Sequence, residues 1–329
     1  YLSGFYFSGD IYAIPEGTVV FPKEPLLKIV APIMEAQLIE TAILNIVNHQ
    51  SLIATKAARV VYAAQGDGIM EFGLRRAQGP DAGLYGARAA MIGGCVGTSN
   101  VLAGQLFDVP VRGTHAHSWI MSFKDEYEAF KTYANLYPSA CILLVDTYDT
   151  LKSGVPNAIR VFTEMREAGV ELKNYGIRLD SGDLAYLSKK ARKMLDEAGF
   201  ENAVISASND LDEFLIHDLK IQGAKITSWG VGTNLITSKD CPSFGGVYKL
   251  AAIQQPDGSF ESKIKLSENT EKITNPGNKT IFRIYDKETG KIRADLICFA
   301  DETFDESQDM RLFDPVEPWK KTKLPGGTY

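Results

Sequence analysis

Short apolar runs that end in polar residues, each followed by a stretch of helical character, dominate residues 68–232. These runs predict seven strands, at residues 69–72, 91–96, 109–111, 141–145, 175–179, 203–206 and 226–229. Continuous apolar strands joined by crossover helices are typical of a parallel sheet, and so many successive units favour an irregular, closed or nearly closed parallel α/β (TIM-like) barrel. An open, doubly wound sheet is the alternative.

The two chain ends have a different pattern, in which short β-type runs alternate with Gly and Pro. Strand candidates occur at residues 5–7, 18–21 and 26–30, and hairpin signals flank the turns at residues 256–258 and 287–290. We therefore predict a second β-rich α/β domain built from both ends, residues 1–31 and 244–329. The barrel takes residues 32–243, and begins with a Gly- and Pro-free helix that reaches Arg59 in two pieces.

Composition excludes several classes of protein. The chain has 329 residues, 45% of them hydrophobic and 23% charged, with no apolar run long enough for a membrane span. A net charge of −6 without a Lys/Arg block argues against a nucleic-acid surface. Four widely spaced cysteines predict buried thiols and a reducing, cytoplasmic location. Because the sequence starts at Tyr1 without Met or a signal pattern, we expect an N-terminal piece to precede it.

Residues just past the strand ends carry the candidate chemistry. In a parallel barrel the carboxyl ends of the strands meet on one face, whatever their separation in sequence. The residues at these positions are Arg75, Ser99, His117, Asp146, Asp180, Ser208 and Gly232. Each one alone is better explained as a solvated loop residue. Together they offer anion binding and acid/base chemistry at one place.

Two further patterns refine this hypothesis. Gly230 and Gly232, before Thr233, resemble a turn whose backbone N–H groups approach a phosphate, although two-glycine turns are common. Arg178 suits an anion and Asp180 suits a ribose diol, whereas an ion-paired loop with a helix cap explains Asp183 equally well.

Two of the four histidines, His115 and His117, lie two residues apart. A metal pair is conceivable at this spacing, but no further histidine has metal-ligand spacing, so we predict no zinc site. Asp146 is placed to hold one ring nitrogen of His117, which leaves the other as nucleophile or base.

Seven motifs in this order give the chain its resemblance to a known family. They are EFGLRRAQG at 71–79, GTSN at 97–100, GTHAHS at 113–118, LVDTYD at 144–149, RLDSGD at 178–183, GVGTNL at 230–235 and GGVYKL at 245–250. With them the chain resembles the nicotinate phosphoribosyltransferases, a type II phosphoribosyltransferase family. The resemblance covers roughly residues 5–283.

The resemblance implies a reaction and a role for each residue. Nicotinate and 5-phosphoribosyl-1-pyrophosphate give nicotinate mononucleotide and pyrophosphate, coupled to ATP hydrolysis through a phosphorylated histidine that matches His117. Phe72 stacks on the pyridine ring and Arg75 faces its carboxylate, while Asp146 orients His117. Arg178 and Asp180 hold the ribose side. The remaining substrate-binding residues are Ser99, Ser208, Asn209, Gly230, Gly232 and Thr233.

The resemblance also implies ATP and Mg²⁺ as cofactors and a homodimer with a shared active site. The family's N-terminal segment, which gives an aromatic residue to the partner's site, has no counterpart here, and the C-terminal end stops early. The alternatives are a nicotinamide- or quinolinate-using phosphoribosyltransferase, or a catalytically silent member that binds nucleotide. Ser99 argues against nicotinamide, because the nicotinamide-using enzymes carry an aspartate there. Ser99 also fits a helix cap.

Overall fold

The computed structural model describes residues 2–266, 275–314 and 317–329. The chain divides into two compact units, Asn45–Gly245 and a unit formed by both ends, Tyr1–Leu44 with Gly246–Tyr329. Residues 32–44, which the sequence interpretation gave to the barrel, fall in the terminal unit. The functional division into two domains remains our proposal.

The described strands and helices alternate through the larger unit and become all-β in the tail. The strands are β1 (Asp10–Ala13), β2 (Leu27–Val30), β3 (Gly68–Glu71), β4 (Gly97–Thr98), β5 (Ala140–Leu144), β6 (Asn174–Leu179), β7 (Val204–Ala207), β8 (Ser228–Val231), β9 (Ala252–Gln254), β10 (Phe260–Ser262), β11 (Lys279–Tyr285), β12 (Ile292–Phe299), β13 (Met310–Phe313) and β14 (Lys321–Leu324). The helices are α1 (Ile33–Leu38), α2 (Glu40–Ala63), α3 (Pro80–Ile92), α4 (Val101–Phe107), α5 (His117–Met121), α6 (Glu126–Leu136), α7 (Val155–Glu167), α8 (Leu184–Glu197), α9 (Glu213–Ile221) and α10 (Thr233–Ile236).

The larger unit contains one six-stranded parallel sheet. Its strand order is β4-β3-β8-β7-β6-β5, so the first strand of the unit pairs with the last one, as closure of a barrel requires. The sheet is open only between β5 and β4. On that side Val111 extends the sheet by a single bridge to Thr98. The predicted parallel α/β barrel is confirmed, with six strands rather than seven.

Two strand predictions were wrong in detail. The apolar residues 91–96 do not form a strand, because the first two belong to the end of α3 and Gly93–Gly94 turn the chain before β4. Gly94 has a φ of 101°, a left-handed conformation that suits glycine. The predicted strand at 109–111 is reduced to the bridge at Val111.

Asp and Asn side chains begin four helices of the barrel. Asn100 caps α4, Asp125 caps α6, Asp183 caps α8 and Asp212 caps α9, each accepting from the backbone N–H three residues on. The cap explanation for Asp183 is therefore confirmed. Ser99 is not the cap of α4, contrary to the sequence interpretation, because Asn100 performs that role.

The core of the larger unit lies between the sheet and its helices. Leu143, Ile177 and Ile205 of β5, β6 and β7 are buried in one cluster with Phe130 and Phe162 from α6 and α7. Burying a side chain of this size contributes about 1.5–3 kcal/mol. The strands that carry the candidate residues are therefore held in place by this buried core.

The described strands of the terminal unit form antiparallel pairs, β1-β2, β9-β10, β11-β12 and β13-β14, and the unit also contains α1. The two predicted tail hairpins are confirmed, with Gly258 and Gly290 at positive φ in their turns. The strand predictions at 5–7 and 18–21 were wrong, and β2 pairs instead with β1.

Candidate active site

Arg178, near the end of β6, is the centre of a group of polar side chains. Its Nε donates to Ser208 Oγ at 2.8 Å, its Nη1 donates to Thr114 Oγ1 at 2.8 Å, and its Nη2 donates to Asp180 Oδ1 at 2.9 Å. Three strand-end segments thus hold one guanidinium. Because its conformation is fixed, the cation is ready to bind an anion without further ordering.

Asp180 combines a partly buried position with two strong donors. Ser208 Oγ donates to the same carboxylate oxygen as Arg178. Burial raises the pKa of Asp180, but the Ser208 hydrogen bond and the Arg178 charge outweigh burial and lower it below its usual range. The group is therefore an anion at neutral pH, suited to accept hydrogen bonds from hydroxyl groups.

Phe72 follows β3 and lies beside this group. Its backbone N–H donates to Val231 O at 2.8 Å, and the Arg178 guanidinium carbon lies 5.9 Å from the centroid of its ring. A side chain on Gly230 would meet the Phe72 ring at 2.5 Å, so the ring depends on this glycine for its place. The arrangement offers an aromatic surface next to a cation.

His117 is the first residue of α5, and 40% of its side chain is exposed. Its Nδ1 lies 3.0 Å from Thr147 Oγ1. Its Nε2 lies 3.9 Å from Asp146 Oδ1 and 3.7 Å from Asp180 Oδ2. The ring is thus held by Thr147, and Asp146 approaches Nε2 without reaching hydrogen-bond distance.

Asp146 connects two strand ends. Its Oδ2 accepts from the Asp180 backbone N–H at 2.9 Å and from Ser181 Oγ at 2.5 Å. Its side chain is only 2% exposed, and Oδ1 is buried without a hydrogen-bond partner among the described residues. A buried carboxylate oxygen without a partner is costly, so Oδ1 is suited to a bound cation, water or substrate hydroxyl.

His115, the neighbour of His117, has a different environment. Its ring is buried, packs edge-on against Tyr133 with centroids 4.6 Å apart, and accepts at Nε2 from the Leu144 backbone N–H at 3.3 Å. Burial lowers the pKa of His115 to about 4. His115 is therefore neutral at physiological pH and inaccessible to solvent. The His117 ring, in contrast, is partly exposed.

The loop after β7 has a strained backbone. Asn209 and Asp210 have φ values of 95° and 39°, in the left-handed region that non-glycine residues seldom adopt. The buried Asn234 donates to Asp210 O at 2.8 Å and to Leu211 O at 3.0 Å, which holds the loop in place. Gly232 and Thr233 form the adjoining turn at the start of α10.

Two predicted residues lie at the same strand ends without a side-chain contact to this group. Arg75 is exposed in a 3₁₀ turn after β3, and Ser99 follows β4 with its N–H donating to Glu71 O at 3.1 Å. Sequence reasoning overlooked Thr114 and Thr147, which hold Arg178 and His117. Both threonines occur within the motifs, but a hydroxyl in a loop carries no signal of its own.

Comparison with known proteins decides the family. The family model of nicotinate phosphoribosyltransferase (NAPRTase) matches residues 68–256, and the models of its N-terminal and C-terminal domains match residues 1–48 and 278–327. The chain belongs to the nicotinate phosphoribosyltransferase family. The strand-end residues described above therefore lie in the part of the chain that the family model covers.

Individual relatives agree with this assignment. A nicotinate phosphoribosyltransferase of Bacillus subtilis is 54% identical over 93% of the chain, and that of Homo sapiens is 34% identical over 93%. The chain spans 61% of the length of the first relative and 65% of the second. The crystal structure of human nicotinic acid phosphoribosyltransferase matches 98% of this chain and 70% of its own, with a TM-score of 0.81 at 30% identity.

A second structure has the same fold. The crystal structure of nicotinate-nucleotide pyrophosphorylase from Pyrococcus furiosus matches 97% of this chain and 74% of its own, with a TM-score of 0.72 at 25% identity. The fold is thus common to both kinds of protein.

The described residues contain neither a candidate membrane-spanning helix nor a metal-binding cluster. None of the helices there is both long and apolar enough to cross a bilayer. Within the same residues, no cluster of three or more His, Cys, Asp or Glu side chains has the arrangement of a metal site. All four cysteines are free. Cys95, Cys141 and Cys298 are buried, as predicted, whereas Cys241 is exposed, contrary to the prediction.

Proposed function

We propose that this chain carries the active site of a nicotinate phosphoribosyltransferase, which acts in the salvage of nicotinate into NAD. The pyridine nitrogen of nicotinate forms a bond to C1 of 5-phosphoribosyl-1-pyrophosphate, the bond from C1 to the pyrophosphate oxygen breaks, and nicotinate mononucleotide and pyrophosphate result. The observation that supports this proposal most strongly is the meeting of His117, Asp146 and Asp180 beside the Arg178 group, in a chain of this family.

The transfer step requires positioning and charge rather than a protein nucleophile. Substitution at the anomeric carbon develops positive charge on the ribose, which the nearby anion Asp180 stabilises. In this proposal Asp180 and Arg178 bind the ribose side, and Ser208 holds both of them in place. The loop of Asn209 and the turn of Gly230, Gly232 and Thr233 receive the 5-phosphate.

The pyridine lies on Phe72 in the same proposal. The ring of Phe72 gives nicotinate an apolar face, and Arg75 supplies a cation for the substrate carboxylate. Arg75 is exposed in the structure, so its side chain is free to turn toward the substrate. Ser99 donates its hydroxyl to that carboxylate.

ATP is coupled to the transfer through His117. An imidazole nitrogen of His117 attacks the γ-phosphorus of ATP, ADP leaves with the electron pair of the broken P–O bond, and water later releases phosphate from the histidine. Exposure of the ring and its hydrogen bond to Thr147 support this role, because the acceptor must be both reachable and fixed.

Mg²⁺ is the cation that this chemistry implies. The ion usually binds one or two carboxylates together with substrate phosphates, rather than a cage made of protein alone. The buried Oδ1 of Asp146, which lacks a partner, and the carboxylate of Asp180 are the groups that would hold it. Bound there, Mg²⁺ would supply positive charge to phosphate oxygens close to these carboxylates.

We also propose a cytoplasmic homodimer with a shared active site. The free thiols support a reducing compartment. Val101, Leu102 and Leu106 on α4 expose apolar side chains directly after Ser99, which supports a partner surface near the nicotinate site. Light scattering in solution tests the dimer.

A competition assay tests the proposed function against its alternatives. The protein is supplied with 5-phosphoribosyl-1-pyrophosphate, ATP, Mg²⁺ and equal amounts of nicotinate, nicotinamide and quinolinate, and the products are separated by chromatography. We expect nicotinate mononucleotide alone. A nicotinamide or quinolinate product would replace the proposed substrate, and nucleotide binding without any product would identify a silent family member.

The variant Ser99→Asp tests the basis of the choice between nicotinate and nicotinamide. An aspartate facing the nicotinate carboxylate would bring two anions together in a partly buried pocket, at a cost of several kcal/mol. We expect the KM for nicotinate to rise by roughly two orders of magnitude, with any new activity appearing on nicotinamide. Unchanged use of nicotinate would show that Ser99 does not face the ring.

A further inference from the structure

Glu71 is a buried carboxylate that the proposed reaction does not use. It is the last residue of β3, its exposed fraction is 0%, and it takes part in no ion pair within the part of the chain that the structure describes. Burial raises the pKa of Glu71. A carboxylate in such a place is costly, and an apolar residue of similar size would serve packing alone at lower cost.

The two oxygens of Glu71 bind two different turns. Oε1 accepts from the backbone N–H of Gly73, and Oε2 accepts from Thr98 Oγ1 at 2.6 Å. Thr98 Oγ1 in turn accepts from the Asn100 N–H at 3.0 Å. One oxygen is thus used by a donor just after β3 and the other by the last residue of β4.

These two turns carry the side chains that the proposed function assigns to the pyridine. Gly73 directly follows Phe72, and Thr98 directly precedes Ser99. The Ser99 N–H also donates to the Glu71 carbonyl at 3.1 Å. The main chain and the side chain of Glu71 therefore both bind the segment of Thr98 and Ser99. The pairing of β3 with β4 and the hydrogen bonds of Glu71 therefore both act on the spacing between Phe72 and Ser99.

We propose that Glu71 is a positioning residue for the pyridine substrate, and that its carboxylate fixes the spacing between the Phe72 turn and the Ser99 turn. The inference rests on the proposed function and deepens it. The 5-phosphoribosyl-1-pyrophosphate side of the site is built from β6, β7 and β8, whereas the Glu71 side chain hydrogen-bonds, among the described residues, to Gly73 and Thr98 only. Loss of the Glu71 carboxylate must therefore weaken the binding of nicotinate and leave the binding of 5-phosphoribosyl-1-pyrophosphate unchanged.

Two pairs of variants in the full chain test this inference. Glu71→Gln keeps the shape of the side chain and removes its charge. Thr98→Val replaces the hydroxyl, which donates to Glu71 and accepts from the Asn100 N–H, with a methyl group of similar size. Thr98→Ser keeps the hydroxyl. Displacement of a binding group by about 1 Å costs up to ~100-fold. We expect Glu71→Gln and Thr98→Val to raise the KM for nicotinate by roughly tenfold, with the KM for 5-phosphoribosyl-1-pyrophosphate within about twofold. Thr98→Ser should restore the KM for nicotinate.

Glu126→Gln is the matched control. Glu126 is also buried and accepts from Ser153 and Asn157, but it lies on α6, away from both turns. We expect this variant to lower the melting temperature without changing either KM. If Glu71→Gln and Thr98→Val raise both KM values equally, or change neither, the inference is overturned. If the unaltered protein does not use nicotinate at all, that result contradicts the proposed function, and the inference that rests on it is overturned as well.

Discussion

At the scale of single residues, the site is built from charged groups that are already paired. Arg178 donates to Ser208, Thr114 and Asp180, and Asp180 accepts from both Arg178 and Ser208. Because the protein already fixes these groups, little conformational entropy is lost when substrate arrives. Removing one charge from the set therefore affects binding of one substrate more than folding.

Asp180→Asn tests this view. The change keeps the shape but removes a charge-assisted hydrogen bond to ribose, worth roughly 1.5–3 kcal/mol. We expect kcat/KM for 5-phosphoribosyl-1-pyrophosphate to fall accordingly, by about ten- to a hundredfold, while nicotinate binding changes little. Steady-state kinetics with each substrate varied in turn provide the measurement.

Asp183→Asn is the control for that variant. Asp183 caps α8 three residues away, and asparagine caps helices equally well, so neither substrate should be affected. Equal losses for both substrates in Asp180→Asn would contradict the assignment of Asp180 to the ribose.

Motifs predicted most of these residues, but not the ones that hold them. Four of them lie close together, as their positions after strands predicted: His117, Asp146, Asp180 and Ser208. Arg178, within β6, contacts the last two. Glu71 escaped notice because a carboxylate at a strand end looks like a solvated one until its burial is known. The role of Thr147 likewise depends on the orientation of the His117 ring, which spacing in sequence does not determine.

At the scale of elements, the open side of the sheet explains the pair of histidines. β5 is the edge strand there, and its Leu144 N–H has no strand partner. The segment between Val111 and α5 runs along this side, and His115 Nε2 accepts that N–H. His115 thus accepts the hydrogen bond of a backbone N–H at the edge of the sheet. His117, two residues later, begins α5 at the candidate active site. The sequence indicated a special pair but left the role of His115 open.

The buried His115 makes stability depend on pH. Burial lowers its pKa from the ordinary value of 6.5 to about 4. Between these two values the unfolded chain binds a proton that the folded chain does not, so stability falls as the pH is lowered. We expect the unfolding free energy to drop by up to about 3 kcal/mol across that range. Urea titrations at several pH values measure it.

His115→Leu is the comparison for those titrations. Leucine fills a similar apolar space but cannot bind a proton, so this variant should be less stable near pH 7 and have a smaller pH slope between 6.5 and 4. An identical slope in both proteins would assign the acid sensitivity to other groups.

The boundaries and the number of the strands were harder to predict than the parallel class of the sheet. The apolar residues before β4 resemble a strand because periodicity does not distinguish a short buried strand from the end of a buried helix. β4 itself has only two residues, Gly97 and Thr98, neither of which is strongly apolar. The parallel class of the sheet was predictable all the same, since it depends on the repeated alternation of strands and helices rather than on any single run.

At the scale of the whole molecule, two patterns in the sequence correspond to two units in the structure. The barrel strands form Asn45–Gly245, and the paired strands of both ends form the terminal unit. The boundary after Leu44 could not be predicted from the sequence, because α2 continues across it without a break.

The central claim is that His117 carries phosphate from ATP, and labelling with γ-³²P-ATP tests it most directly. We expect the protein to acquire an acid-labile label, and His117→Ala to lose the label, the ATP hydrolysis and the stimulation by ATP, retaining only a weak ATP-independent transfer. His115→Ala, and His217→Ala on the exposed side of α9, should keep the label. An acid-labile label that persists in His117→Ala would contradict the account.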